Sequence, residues 1–148
     1  MRSALHLKSL VLALALLTTV TVAGCSDDET PTTPATRNVE QVTWSTNLAT
    51  GGATSRSFRT TRNGTVSITL QSVGGATTQA VGLGVGIPLG DGTGCVLSRS
   101  VETVAGATAQ LELGVDVGSY CVQVYDLGTL TQPTGFTLLL VYPIEATT

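Results

Sequence analysis

Few side chains in this 148-residue sequence are suited to catalysis. Five carboxylates, Asp91, Glu102, Glu112, Asp116 and Asp126, are the candidates for the acid and base that a glycoside hydrolase sets on either side of a glycosidic bond. None sits in a recognisable motif: Glu112 falls on the polar side of an alternating run, and Asp116 and Asp126 fall at the ends of runs, where acids are ordinarily solvated. Hydroxyls are plentiful, but serine and threonine need a base to become nucleophiles. The one histidine is His6, and the thiols are Cys25, Cys95 and Cys121. For binding rather than catalysis, Trp44 and Tyr125 offer rings that stack on sugars, and Arg56, Arg59 and Arg62 offer charge to an acidic glycan.

The N-terminus decides which of these residues remain in the mature protein. Arg2 and Lys8 form a basic stretch, Leu10 to Leu17 is unbroken apolar, and Val22-Ala23-Gly24-Cys25 follows. That order is an n-region, an h-region and a small-residue cleavage site. The apolar stretch is shorter than the ~20 residues of a membrane-spanning helix. A cysteine directly after Val-Ala-Gly resembles the lipobox of bacterial lipoprotein precursors. The resemblance implies cleavage before Cys25, a diacylglyceryl thioether on its sulfur and acylation of its new amino group, which exceeds the two signals that stable anchoring takes. Ser26, rather than aspartate, after Cys25 implies sorting to the outer membrane of a two-membrane cell envelope.

Without residues 1–24 the chain keeps 5 basic residues against 10 acidic ones, and has no His, Lys or Met. That balance repels phosphate backbones and excludes nucleic-acid binding. The usual bases leave with the signal peptide, so the expectation is a non-catalytic protein with no cofactor and no metal. Ser26 to Asn38 is rich in Thr, Pro and Asp and cannot bury apolar surface; as a flexible tether it reaches at most ~40 Å. About 110 residues remain for one domain with a single core. The expected division is residues 1–24 signal peptide, 25–38 lipidated cysteine and tether, and 39–148 folded domain.

With Cys25 lipidated, Cys95 and Cys121 are an even pair in an exported protein, where disulfides persist. They are expected to be bonded. A metal site, the rival use, lacks the His or third Cys that completes a tetrahedral shell.

The elements that must position these residues read as short strands with period-2 alternation between Gly, Asn, Asp and Pro, with no apolar residues at helical spacing. Strands are expected over Val39–Trp44, Ser55–Thr61, Thr65–Val73, Ala80–Ile87, Cys95–Val101, Thr108–Val115, Ser119–Tyr125 and Phe136–Tyr142. About eight short strands in this length predict an all-β fold, a two-layer antiparallel β-sandwich. Leu111, Leu113 and Val115 alternate with Gln110 and Glu112, and Tyr120, Val122 and Val124 alternate with Cys121 and Gln123, so Cys121 should face away from the core. Phe136–Tyr142 is apolar on both faces, which predicts cover on each. A three-residue loop, Arg62-Asn63-Gly64, would make a hairpin that pairs Phe58 with Ile68, with Gly64 in the left-handed bulge position.

Asn63-Gly64-Thr65-Val66-Ser67-Ile68-Thr69-Leu70, Gly118-Ser119-Tyr120-Cys121-Val122-Gln123-Val124-Tyr125 and Phe136-Thr137-Leu138 together resemble the bacterial pre-peptidase C-terminal domain. The resemblance spans most of residues 55–142. It implies a jelly-roll-like sandwich that is non-catalytic and accompanies secreted enzymes or surface proteins. Many members carry an Asp-rich strand where this chain has Val81-Gly82-Leu83-Gly84-Val85-Gly86-Ile87, so a calcium role does not carry over. Asp91 alone is far short of the six to eight oxygens that calcium takes.

Gly82, Gly84 and Gly86 leave one face of their strand bare. Their spacing is not that of a nucleotide fingerprint. Such a face suits either the close approach of another backbone, the favoured reading, or a groove for a ligand or partner strand. The functional expectation is a lipid-anchored envelope domain with a structural, adhesive or accessory binding role toward an envelope protein or glycan. A carbohydrate-binding module that uses Trp44, Tyr125 and the arginines is the alternative, followed by a small glycoside hydrolase.

Overall fold

The structure, a computed structural model, describes residues 38–74 and 78–146; the signal peptide, Cys25 and nearly all of the Thr/Pro-rich segment lie outside the described residues. Eight strands follow one another: β1 (Val39–Leu48), β2 (Ala53–Thr60), β3 (Gly64–Val73), β4 (Val81–Pro88), β5 (Cys95–Thr103), β6 (Leu111–Val115), β7 (Gly118–Tyr125) and β8 (Thr134–Pro143). They form two four-stranded antiparallel sheets, β1-β8-β3-β6 and β2-β7-β4-β5, packed as a β-sandwich. β1 pairs with β8, β2 with β7, β3 with β6 and β4 with β5, so the chain is one long ribbon doubled back at the β4–β5 turn. The pairs β3·β8 and β4·β7 roll that ribbon into two layers, the arrangement of a jelly roll.

Alternation sorts the side chains. Val66, Ile68, Leu70, Leu111, Phe136, Leu138 and Leu140 from one sheet meet Phe58, Val81, Leu83, Val85, Val122 and Val124 from the other, all buried. Each such burial stabilises the fold by about 1.5–3 kcal/mol relative to an exposed side chain. On β8 the inner face is covered by the second sheet. Its outer residues Leu139 and Val141 are only half-buried, flanked in register by Thr43 and Thr69 and by Gln41 and Ser67.

The hairpin expected over Arg62-Asn63-Gly64 does not form. β2 and β3 belong to different sheets: Phe58 is opposite Tyr120, and Ile68 sits between Leu111 and Leu140. Gly64 opens β3 opposite Val115 without a left-handed φ. Parity required Phe58 and Ile68 to share an apolar environment, and lining one core from two separate sheets satisfies that as well as lying side by side would. The crossover is held by side chains instead. The buried Thr60 hydroxyl donates to the Asp116 carbonyl at 2.7 Å and accepts from the Gly118 N–H at 3.0 Å. The Asn63 Oδ1 accepts from Val117 N–H at 3.0 Å, and the Thr61 hydroxyl from Glu145 N–H at 2.8 Å.

The sixth strand starts at Leu111 rather than Thr108, because Gln110 takes another part. β3 has a bulge between Leu70 and Ser72. On the other side of β3, past the last β3·β6 pair, the Gln110 side chain serves Leu70, its Oε1 accepting from Leu70 N–H at 2.7 Å and its Nε2 donating at 3.4 Å to the Leu70 carbonyl, which also accepts from Gly106 N–H at 2.9 Å.

Candidate functional site

The carboxylates are distributed over the scaffold rather than paired. Glu102 stands on β5 opposite Gly82 and Glu112 on β6 opposite Ser67, in different sheets. Asp126 follows β7 and is a structural hub, not the freely solvated strand-end acid that its sequence position implied. Its Oδ2 accepts from Gly51 N–H at 2.7 Å, and its Oδ1 accepts from Gly128, Thr129 and Leu130 N–H at 2.9, 3.0 and 3.1 Å. These donors, Gly51 first, hold the carboxyl below its ordinary pKa against the opposing effect of desolvation. Asp91 lies in the β4–β5 turn, where Thr93 N–H donates to it at 3.0 Å and lowers its pKa. Gly92 takes φ +72° in the same turn, a conformation that favours glycine, so the acid and the glycine close a tight loop. Among the described residues no three of His, Cys, Asp and Glu gather in one place.

Cys95 and Cys121 are disulfide-bonded, with Cα atoms 5.8 Å apart. The bond joins β5 to β7 over β4, which lies between them. Cys121 is fully buried on the outer face of its sheet, opposite Gly86. The start of β5 crosses directly above that glycine: a Cβ on Gly86 would overlap the Val96 carbonyl oxygen and stand 2.8 Å from the Leu97 Cα. Gly84 lies under the Leu97 side chain, whose methyl carbons would be 2.7 and 2.8 Å from an added Cβ, and Gly82 lies under the Tyr125 ring. The three glycines are thus occupied by the protein's own β5 backbone, Leu97 and Tyr125. The bare strand face is filled, as close backbone approach requires, and is not an open groove.

The sequence-derived ligand surface does not assemble. Trp44 is half-buried on the inner face of β1 and meets Phe136 edge-on at 5.1 Å, so its ring belongs to the core. Tyr125 is on the outer face of the other sheet, over Gly82. Arg59 shares that outer face at the opposite end of the sheet, and Arg62 sits in the exposed β2–β3 crossover. Arg56 has the other parity and lies where the inner faces of the edge strands β1 and β2 open to solvent. There it joins Glu40 and Tyr142. Burial, followed by the neighbouring Glu40 carboxylate, raises the Tyr142 pKa, and Arg56 opposes the shift. This trio places a hydroxyl, an anion and a cation together. Sequence reading missed it because Glu40 and Tyr142 are brought into register only by β1·β8 pairing.

A second polar surface is a shallow groove formed by Ser45, Asn47, Ser72, Gly135 and Thr137 on the outside of the first sheet, where the Ser45 and Thr137 hydroxyls are 3.0 Å apart. No protein-family model matches the chain, and no curated protein matches it.

Proposed function

We propose that the chain is a bacterial envelope lipoprotein, anchored through acyl chains on Cys25 and sorted to the outer membrane, whose jelly-roll domain is a non-catalytic structural, adhesive or accessory binding module similar to the bacterial pre-peptidase C-terminal domain. The n-region, h-region and Val22-Ala23-Gly24-Cys25 support the anchor. The observation that carries the non-catalytic reading is the use made of the reactive side chains. Asp126 accepts four backbone N–H groups, Asp91 closes a turn, and Cys95 and Cys121 hold a strand crossing. Each stabilises the scaffold, and an acid kept ionised in this way is a poor proton donor.

Intact mass spectrometry of the protein from its native membrane fraction, with and without reduction and alkylation, tests this reading. The expected mass begins at Cys25 and includes acyl chains, with two thiols alkylated only after reduction. An unlipidated mass removes the anchor.

Glycan binding is the second reading, and the groove at Ser45, Asn47, Ser72 and Thr137 is what favours it, since hydroxyl and amide groups match a sugar's hydrogen-bonding edges. It predicts glycan-array binding that Asn47→Ala abolishes and that Trp44→Phe leaves in place.

A further inference from the structure

Six large apolar residues are exposed among the described residues: Val39, Ile87, Leu89, Val96, Val104 and Val117. The strand registers put five of them at one end of the sandwich. Val39 begins β1 opposite Pro143, at the end of the sheet where β3 starts and β6 finishes. Val117 lies in the β6–β7 turn at that same end, bonded to Asn63 of the crossover. Gly86 is level with Cys121, three residues above the start of β7, so Ile87, with Val96 opposite, lies one residue nearer that end and Leu89, in the β4–β5 turn, is level with it. Val104 alone is at the opposite end, after β5. Ile87 is inward-facing by parity yet 59% exposed, and Val96 beside it is also 59% exposed. Apolar side chains clustered at one end of a soluble-type fold mark a contact surface.

The chain outside the structure identifies what meets this end. Asn38 is there, its carbonyl accepting from Ile144 N–H at 3.1 Å, and the segment back to Cys25 departs from it. We infer that this end of the domain, with Leu89, Ile87, Val96, Val117 and Val39, docks onto the lipid surface in which Cys25 is anchored. The inference rests on the anchored reading above. The tether leaves from this end, so this end lies about a strand length nearer to the anchor than the opposite one. Arg59 and Arg62 at this end favour anionic headgroups, while Glu40, Asp91, Asp116 and Glu145 there oppose them, so apolar contact rather than net charge drives the docking. The turn side chains enter the interface between headgroups and acyl chains, as an anchored domain with an apolar end does.

The test uses the full-length acylated protein reconstituted into phosphatidylethanolamine/phosphatidylglycerol vesicles with and without brominated acyl chains. Leu89→Trp and Val104→Trp are compared, with the parent Trp44 emission subtracted; both positions are exposed, so neither substitution disturbs the core. Tryptophan at 89 is expected to shift to shorter wavelength and to be quenched by bromolipid at least about twofold more than tryptophan at 104. Equal quenching at 89 and 104, with acyl chains on Cys25 verified by mass, overturns the docking and leaves the anchor standing. A shift at 89 that follows protein concentration and ignores bromolipid overturns it in favour of a second copy of the chain. A mass without acyl chains overturns the anchor and the docking together.

Discussion

The backbone of Val96 passes so closely over Gly86 that no side chain fits between them, and the Cys95–Cys121 disulfide holds that passage shut. The three glycines of β4 then differ in what lies above them: backbone at Gly86, an aromatic ring at Gly82 and the flexible end of Leu97 at Gly84. Alanine substitutions should rank accordingly. Gly86→Ala forces β5 away from β4 and lowers stability by about 3 kcal/mol or more, whereas Gly84→Ala, relieved by a rotation of Leu97, costs about 1 kcal/mol or less. Urea unfolding of both variants checks the order, and equal midpoints would contradict the crossing.

The disulfide closes a loop with a sequence separation of 26. In the chain-entropy model a loop of that length stabilises the fold by about 3.5 kcal/mol. Paired Cys95→Ser and Cys121→Ser substitution should therefore lower the unfolding free energy by that amount, and the denaturant midpoint with it, with the strand content by circular dichroism retained below the transition.

Asp126 links the β1–β2 corner to the β7–β8 loop, and its Gly51 partner is far away in sequence. Its folded pKa is lowered, so the ionised form favours the folded state. The stability it contributes is present above the unfolded carboxylate pKa of about 3.9 and is lost as the pH falls through the lower folded value. Asp126→Asn sets an amide donor against backbone donors and should lower the thermal midpoint at neutral pH by several degrees. The gap to the parent should narrow as the pH falls below the carboxylate range. Thermal scans across that range read both, and a pH-independent gap would contradict the assignment.

Gln110 stands in for the strand partner that Leu70 N–H lacks beyond the end of β6. Gln110→Ala leaves the part-buried Leu70 N–H without its partner and should cost about 1–3 kcal/mol. The midpoint in urea should fall while the slope stays constant, because the surface exposed on unfolding is unchanged. A shallower slope would indicate that β3 itself had loosened.

The strands themselves were legible because each carries its own alternation. Leu111 and Val115 flank Glu112, and Val122 and Val124 flank Gln123, whatever lies beside them. Cys121 could be assigned to the outer face by the same count. The ligand surface was not legible: Trp44 and Tyr125 look alike as aromatic residues in polar runs, yet one packs on Phe136 and the other over Gly82, on different sheets. The Glu40, Arg56 and Tyr142 trio had no signal at all, since its members come from three strands.

Side-chain alternation determines from the sequence alone that the chain makes strands, which residues of each strand face a core, and that Cys121 turns away from it; these follow from the two-residue period of an extended backbone. Partner choice is another matter. Of the four pairs that build the ribbon, only β4·β5 joins neighbours in the chain, while Val39 meets Pro143 at the far end of the sequence. Period-2 patterning records a direction, inward or outward, and any neighbour of matching polarity satisfies it. The hairpin reading of Phe58 and Ile68 failed for that reason. Only the rolling of the whole ribbon, which buries both faces of the core at once, decided that these residues enter the core from separate sheets, where Asp126 would find its donors, and which strand would cross over Gly86.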